Sequence, residues 1–110
     1  MKLPNKEHAF IPESKIKDYL LSDSHPTGRS KSKFFRMFGF NETNIEILEQ
    51  FLLKIAQTYD VTIEEKLSHG IKYTIDGKLY TPIVKDVSIR TVWIIENNDD
   101  RPRFVTAYPD

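Results

Sequence analysis

Cysteine is absent from this chain of 110 residues. That excludes disulfides and thiolate metal sites, and it fits a reducing compartment. No apolar run approaches the roughly 18 residues of a membrane-spanning helix. The opening residues, MKLPNKEHAF, have no apolar stretch of the signal-peptide kind. Formal net charge is zero, which argues against a general nucleic-acid coat. Neither G-x-x-x-x-G-K-S/T nor G-x-G-x-x-G occurs, so nucleotide cradling by those loops is not expected. H-E-x-x-H and G-x-S-x-G are missing as well. The reading from these absences is a cytoplasmic protein with no membrane contact, no cofactor and no metal.

What is present has the size of a single domain, residues 1–110. Such a length buries a core without staples, which chains below roughly 40 residues usually need. Charge is unevenly spread. Residues 1–40 carry eight Lys/Arg against four Asp/Glu, and residues 41–110 carry eight against twelve. A polyanion would therefore meet a local basic site in the first part. The acidic remainder suits a basic partner.

In chain order, residues 2–11 read as extended. Pro12 suits a first helical turn, and Ile16, Tyr19 and Leu20 share one apolar face, which predicts a helix over 12–21. A second helix starts near Ser30, with Phe34, Phe35 and Phe38 as its buried stripe, Met37 beside it and Gly39 just past its end. A third, over about 43–59, has Ile45, Leu48, Leu52 and Ile55 at helical spacing, broadened by Ile47, Phe51 and Ala56. The period then changes to two. Residues 61–67 and 71–75 alternate around a His69-Gly70 turn, and Asp76-Gly77 signals a two-residue hairpin. Residues 79–83 return, with Pro82 suggesting an edge or a bulge and hence a strand that another chain could pair with. The apolar TVWII reads as central, and 103–108 as the last strand. The fold class is α+β: about three N-terminal helices packed on a four- to five-stranded antiparallel sheet.

Chemistry concentrates in residues 25–40, HPTGRSKSKFFRMFGF, where four of the first twelve residues are basic and none is acidic. Lys31 precedes Phe34, Phe35 and Phe38 by three, four and seven residues. It therefore lies at the N-terminal edge of the stripe, as a functional cation or as a lysine snorkelling past an apolar rim. His25, before Pro26 and Gly28, titrates near neutral pH, although a loop histidine is also an ordinary surface residue. A helix N-terminus beside it favours phosphate. In RFVTAYPD the strand period sends Phe104, Thr106 and Tyr108 one way and Val105 and Ala107 the other. Thr106 and Tyr108 thus offer two hydroxyls, or are plain strand residues near a fraying end. Arg90 starts the neighbouring strand and either reaches a cleft or caps the sheet.

HPTGRSKSKFFRMFGF, the long amphipathic helix, VWII and RFVTAYP together resemble a small bacterial domain family found as toxin tips or beside a small partner gene. The H-P-x-G-x-x-K-x-x-F-F and V-T-A-Y-P pieces are similar to those of toxin domains assigned to the barnase–EndoU–colicin–RelE ribonuclease fold. The resemblance spans about residues 3–109 and implies a metal-independent endoribonuclease. In such an enzyme the 2′-hydroxyl attacks the adjacent phosphate and leaves a 2′,3′-cyclic phosphate. Carried onto this chain, it gives His25 the acid/base role, Lys31 the phosphorane oxygens, Arg90 a fork on the phosphate and Thr106 a hydrogen bond to a non-bridging oxygen. Tyr108 would stack a base or donate, and Arg29 and Lys33 would bind flanking phosphates. The partners implied are RNA and a cognate antitoxin or immunity protein.

Two other readings stand beside it. A non-enzymatic interaction module, the antitoxin or immunity half of a pair, would use the acidic residues 41–110 on a basic partner. A non-cleaving RNA-binding domain would use the basic helix start alone. Convergence of His25, Lys31, Arg90 and Thr106 on one cleft separates the enzyme from the module, because hydrogen-bond reach limits what can act on one phosphate.

Overall fold

The helical and strand periods sort the chain into a helical first half and a meander. The computed structural model describes residues 1–22 and 29–110, the side chains of 29 and 30 excepted. The fold is α+β, three helices followed by a four-stranded antiparallel sheet.

Pro12 leads into one α-helical turn, Glu13–Lys15 (α1). The helix then widens into a π-helix over Ile16–Leu20, where the Leu21 N–H donates to the Ile16 carbonyl at 2.9 Å. Ile16, Leu20 and Leu21 are buried, and Tyr19 sits half-buried at the rim. Such π turns are rare and often mark functional positions. The second helix is α2, Arg29–Met37. Its buried face is narrower than the spacing suggests. Phe35 and Ser32 are fully buried, Phe34 and Phe38 only half, and Met37 is exposed. Arg36 fastens α2 in this orientation. Its guanidinium donates to the Ser32 hydroxyl, the Leu21 carbonyl and the Glu42 carboxylate, tying the helix to chain on both sides. Gly39 ends the turn with φ 96°, a left-handed conformation that glycine adopts without steric cost. In α3, Ile45–Thr58, the buried residues are Leu48, Leu52, Ile55 and Ala56. Ile47 is exposed, and Phe51 leans edge-on against Tyr80.

The strands are β1 (Val61–Leu67), β2 (Gly70–Tyr80), β3 (Asp86–Glu96) and β4 (Arg103–Pro109), in the order β1-β2-β3-β4. TVWII lies in β3, one of the two interior strands. The first hairpin turns at Ser68 and His69, with Gly70 already paired to Leu67. The Asp76-Gly77 hairpin is corrected. Asp76 pairs with Arg90 and Gly77 with Ile89, in the middle of an unbroken β2·β3 ladder. Two tertiary contacts override the local turn signal. The Asp76 carboxylate receives the Arg90 fork from the next strand. A Cβ on Gly77 would lie 2.6 Å from Tyr59 Cδ2 and 3.1 Å from Ile55 Cγ2, so the glycine serves the close approach of the α3 end. The turn falls later, over 81–85, where Thr81 Oγ1 accepts from the Val84 N–H at 2.9 Å and donates to its carbonyl. Pro82 belongs to this turn and not to a strand edge.

Helices and sheet share one core. Phe35, Leu48, Leu52 and Ile55 meet Ile75, Leu79, Trp93 and Phe104. The Trp93 and Phe104 rings stack edge-on, 5.3 Å between centroids. Thr91 is fully buried yet satisfied, since it donates to the Ile75 carbonyl and accepts from Trp93 Nε1, both at 2.8 Å.

Candidate functional site

β4 pairs with β3 through Arg90↔Tyr108, Thr91↔Ala107 and Val92↔Thr106, but Trp93 pairs with Phe104. Val105 is therefore an extra residue, and the bulge reverses the faces beyond it. The strict alternation is corrected on this point. Phe104 joins Ala107 in the core, while Thr106 and Tyr108 keep a common face with Arg90 and Val92. Two residues apart, they stand roughly 6.5 Å from each other along the strand.

Thr106 meets the first helix. Its Oγ1 lies 3.2 Å from the Tyr19 hydroxyl, either oxygen able to donate. Lys31 Nζ of α2 sits 5.4 Å from the centroid of the Tyr19 ring, and Lys15 Nζ sits 5.1 Å from it. A ring between two ammonium groups gains cation–π attraction. It also brings positive charge to its own phenol. Burial alone would raise the pKa of Tyr19. Hydrogen bonding with Thr106 and Lys31, and the charges of Lys31 and Lys15, outweigh burial and draw it below the ordinary phenol value. The surroundings therefore favour the phenolate form of Tyr19 relative to an ordinary phenol.

Tyr108 meets the other cation. Arg90 Nε and Nη2 donate to the two Asp76 oxygens at 2.7 and 2.9 Å. That bidentate pair, then the charge of Asp110 and a hydrogen bond with Tyr108, hold the guanidinium firmly protonated. The expectation that Arg90 presents its fork to a phosphate is therefore modified, because Asp76 fills the fork. Beside Asp76, its further contact is the hydrogen bond with Tyr108.

Four of the residues singled out from sequence thus lie along one stretch: Lys31 through Tyr19 to Thr106, then Tyr108 and Arg90 on the same face. Lys33 is exposed on α2. His25 lies outside the described residues, as does the side chain of Arg29. Tyr19, Lys15 and Asp76 are the members that sequence reasoning missed. Tyr19 counts there as part of an apolar stripe, and its position four residues after Lys15 is the one local signal.

Away from this stretch, Glu13 and Lys17 of the first helix line a groove of about 850 Å³ together with Glu42, just before α3, and Glu46, Ile47 and Glu49 at its start. Among the described residues, no three His, Cys, Asp or Glu side chains gather in a way that could hold a metal ion. No helix among them is long and apolar enough to cross a membrane.

A family model described as a domain of unknown function (DUF6883) matches residues 2–110. No curated protein matches the chain. A chain in the structure titled "Contact-dependent growth inhibition toxin - immunity protein complex from Klebsiella pneumoniae 342" superposes with a TM-score of 0.74, over 96% of this chain and 96% of that one, at 14% identity. At that identity the likeness establishes the fold.

Proposed function

We propose that this chain, which belongs to the DUF6883 family, is a toxin-type endoribonuclease that cleaves RNA in the cytoplasm by 2′-hydroxyl transesterification without a metal. The observation that carries the reading is the hydroxyl–ammonium cluster of Tyr19, Thr106 and Lys31, which holds donors and positive charge where an anionic oxygen would sit. Phosphoryl transfer within RNA needs such a place, because charge builds on the non-bridging oxygens as the 2′-oxygen bonds to phosphorus and the 5′-oxygen leaves. Lys31 neutralises that charge and Thr106 donates to it. Arg90, paired with Asp76, holds the Tyr108 hydroxyl in place, and the Tyr108 ring stacks a base. His25 takes the acid/base role on the strength of the sequence. Arg29 and Lys33 continue the basic start of α2 along flanking phosphates. A cognate neutralising protein, an antitoxin or immunity protein, is the partner such an activity requires. The likeness to a chain from a toxin–immunity complex agrees with that setting.

The test is cleavage of total RNA by the purified chain, with Lys31→Ala as control. Fragments ending in 2′,3′-cyclic phosphate from the native chain, reduced at least tenfold in the variant at equal folded content, support the reading. Equal or absent cleavage in both refutes it.

The acidic groove favours a second reading, a non-enzymatic immunity-type module. Glu13, Glu46 and Glu49 against Lys17, with Glu42 paired to Arg36 and exposed Ile47 among them, suit a basic protein surface. Expression in a bacterium separates the two. Growth arrest that Lys31→Ala abolishes marks the toxin. Harmless expression that protects against a co-expressed toxin marks the module.

A further inference from the structure

We propose that Tyr19 is the group that takes the proton of the attacking 2′-hydroxyl. Its hydroxyl is fixed 3.2 Å from Thr106 Oγ1, and the ammonium groups of Lys15 and Lys31 lie against its ring. This rests on the ribonuclease reading and adds a catalytic residue that the family resemblance does not supply.

Position comes first. Tyr19 belongs to the π-helical turn Ile16–Leu20, whose neighbours Ile16, Leu20 and Leu21 are locked in the core. The backbone beneath the phenol is therefore rigid, and Thr106 of β4 orients its oxygen. A base must come within about 2.6–3.2 Å of the proton it abstracts, and a half-buried phenol at the rim of the Lys31 cluster meets substrate without unfolding. Charge comes second. Lys15 faces Tyr19 from its own helix and Lys31 from α2, while Thr106 brings a neutral hydroxyl from β4. The two cations favour the phenolate, which is the form that accepts a proton.

In the step itself, the phenolate oxygen takes the 2′-hydroxyl proton as the 2′-oxygen forms its bond to phosphorus. The bond from phosphorus to the 5′-oxygen breaks, and its electron pair leaves on that oxygen. An imidazolium or a water molecule protonates it, and Tyr19 returns its own proton to solvent. In this scheme Thr106 gives its one hydroxyl hydrogen to the Tyr19 oxygen in place of the phosphate and is a positioning residue, while Lys31 neutralises the phosphorane.

The test compares the full native chain with Tyr19→Phe and Thr106→Val, using a short oligoribonucleotide over a range of pH. Tyr19→Phe keeps the ring and its lysine contacts. It is expected to lose at least about a hundredfold in single-turnover rate, the lower bound for a removed general base, together with the rise of rate with pH. Thr106→Val is expected to keep that rise but to move it to higher pH. Near-ultraviolet titration of tyrosinate, which needs no substrate, is expected to show the first step of the native chain missing in Tyr19→Phe. Cleavage by Tyr19→Phe within about threefold of the native rate and with the same pH profile overturns Tyr19 alone. A native chain that leaves RNA intact overturns the ribonuclease reading and this base with it. An early tyrosinate step that persists in Tyr19→Phe assigns that titration to another tyrosine and overturns the charge argument.

Discussion

Replacing Gly77 by alanine separates two uses of an Asp-Gly pair. In a two-residue hairpin the glycine would hold positive φ, and alanine would be strained by its backbone. Here, among the described residues, Gly39 is the glycine with positive φ, so the β2 backbone accepts alanine at 77. The cost is steric instead. The new Cβ would stand 2.6 Å from Tyr59 Cδ2, 2.8 Å from Cε2 and 3.1 Å from Ile55 Cγ2. Those distances are well inside van der Waals contact, so the ring must turn or α3 must lift. Overpacking of this kind costs about 1–3 kcal/mol. Alanine also restricts the unfolded chain and returns about 0.4–1 kcal/mol. The difference runs from about 0 to 2.6 kcal/mol, with a midpoint of about 1.3 kcal/mol, or about 5 °C in Tm for a chain of this size.

Thermal and urea unfolding of Gly77→Ala measure the loss, and the same change made in a Tyr59→Leu background identifies its source. If the clash is with the ring, the double variant recovers part of the cost, with a coupling of about 0.5 kcal/mol or more. A Gly77→Ala chain more stable than the native one refutes the reasoning. So does a loss that Tyr59→Leu leaves untouched, since that would point back to the backbone.

Three further outcomes follow from other contacts. Thr91→Val leaves the buried Trp93 Nε1–H and the Ile75 carbonyl without the Thr91 hydroxyl, and is expected to cost about 1–3 kcal/mol in urea unfolding with a shift in the emission of the single tryptophan. Asp76→Ala frees the Arg90 fork and removes two charge-assisted bonds, and is expected to lower the urea midpoint; an unchanged midpoint would show the pair to be decorative. Glu42 is held at about 2, first by hydrogen bonds from Arg36 and then by its own backbone N–H. Because its folded value is depressed, its contribution is complete above the unfolded value of 4.5 and is lost as pH falls toward 2. Glu42→Gln should therefore be less stable than the native chain at pH 7 and converge with it near pH 2, as read from urea midpoints at each pH.

Residues were legible where one period governs both backbone and burial. Leu48, Leu52 and Ile55 of α3 are buried as their spacing requires, and Lys31, three and four residues before Phe34 and Phe35, does lie at the rim of the apolar face. Residues were illegible where a distant contact decides. Asp76 and Gly77 carry a strong local turn signal, yet the Arg90 fork and the Tyr59 ring hold them in mid-strand. The last strand shows both cases within a few residues. Counting by twos places Thr106 with Tyr108 because both lie on one side of the bulge. The same count misplaces Phe104, because Val105 intervenes and no residue type announces it. The error is harmless to the site and essential to the core: Phe104 packs on Trp93, and that packing anchors β4 beneath the first helix. Tyr19 escaped for a different reason. A tyrosine in an apolar stripe scores by its ring, and its oxygen acquires meaning only when a π turn and a β4 threonine bring it beside two lysines. The half of the site built on period was readable from the chain. The half built on a widened helical turn and a strand bulge, the two departures from period, is where the added hydroxyl was found.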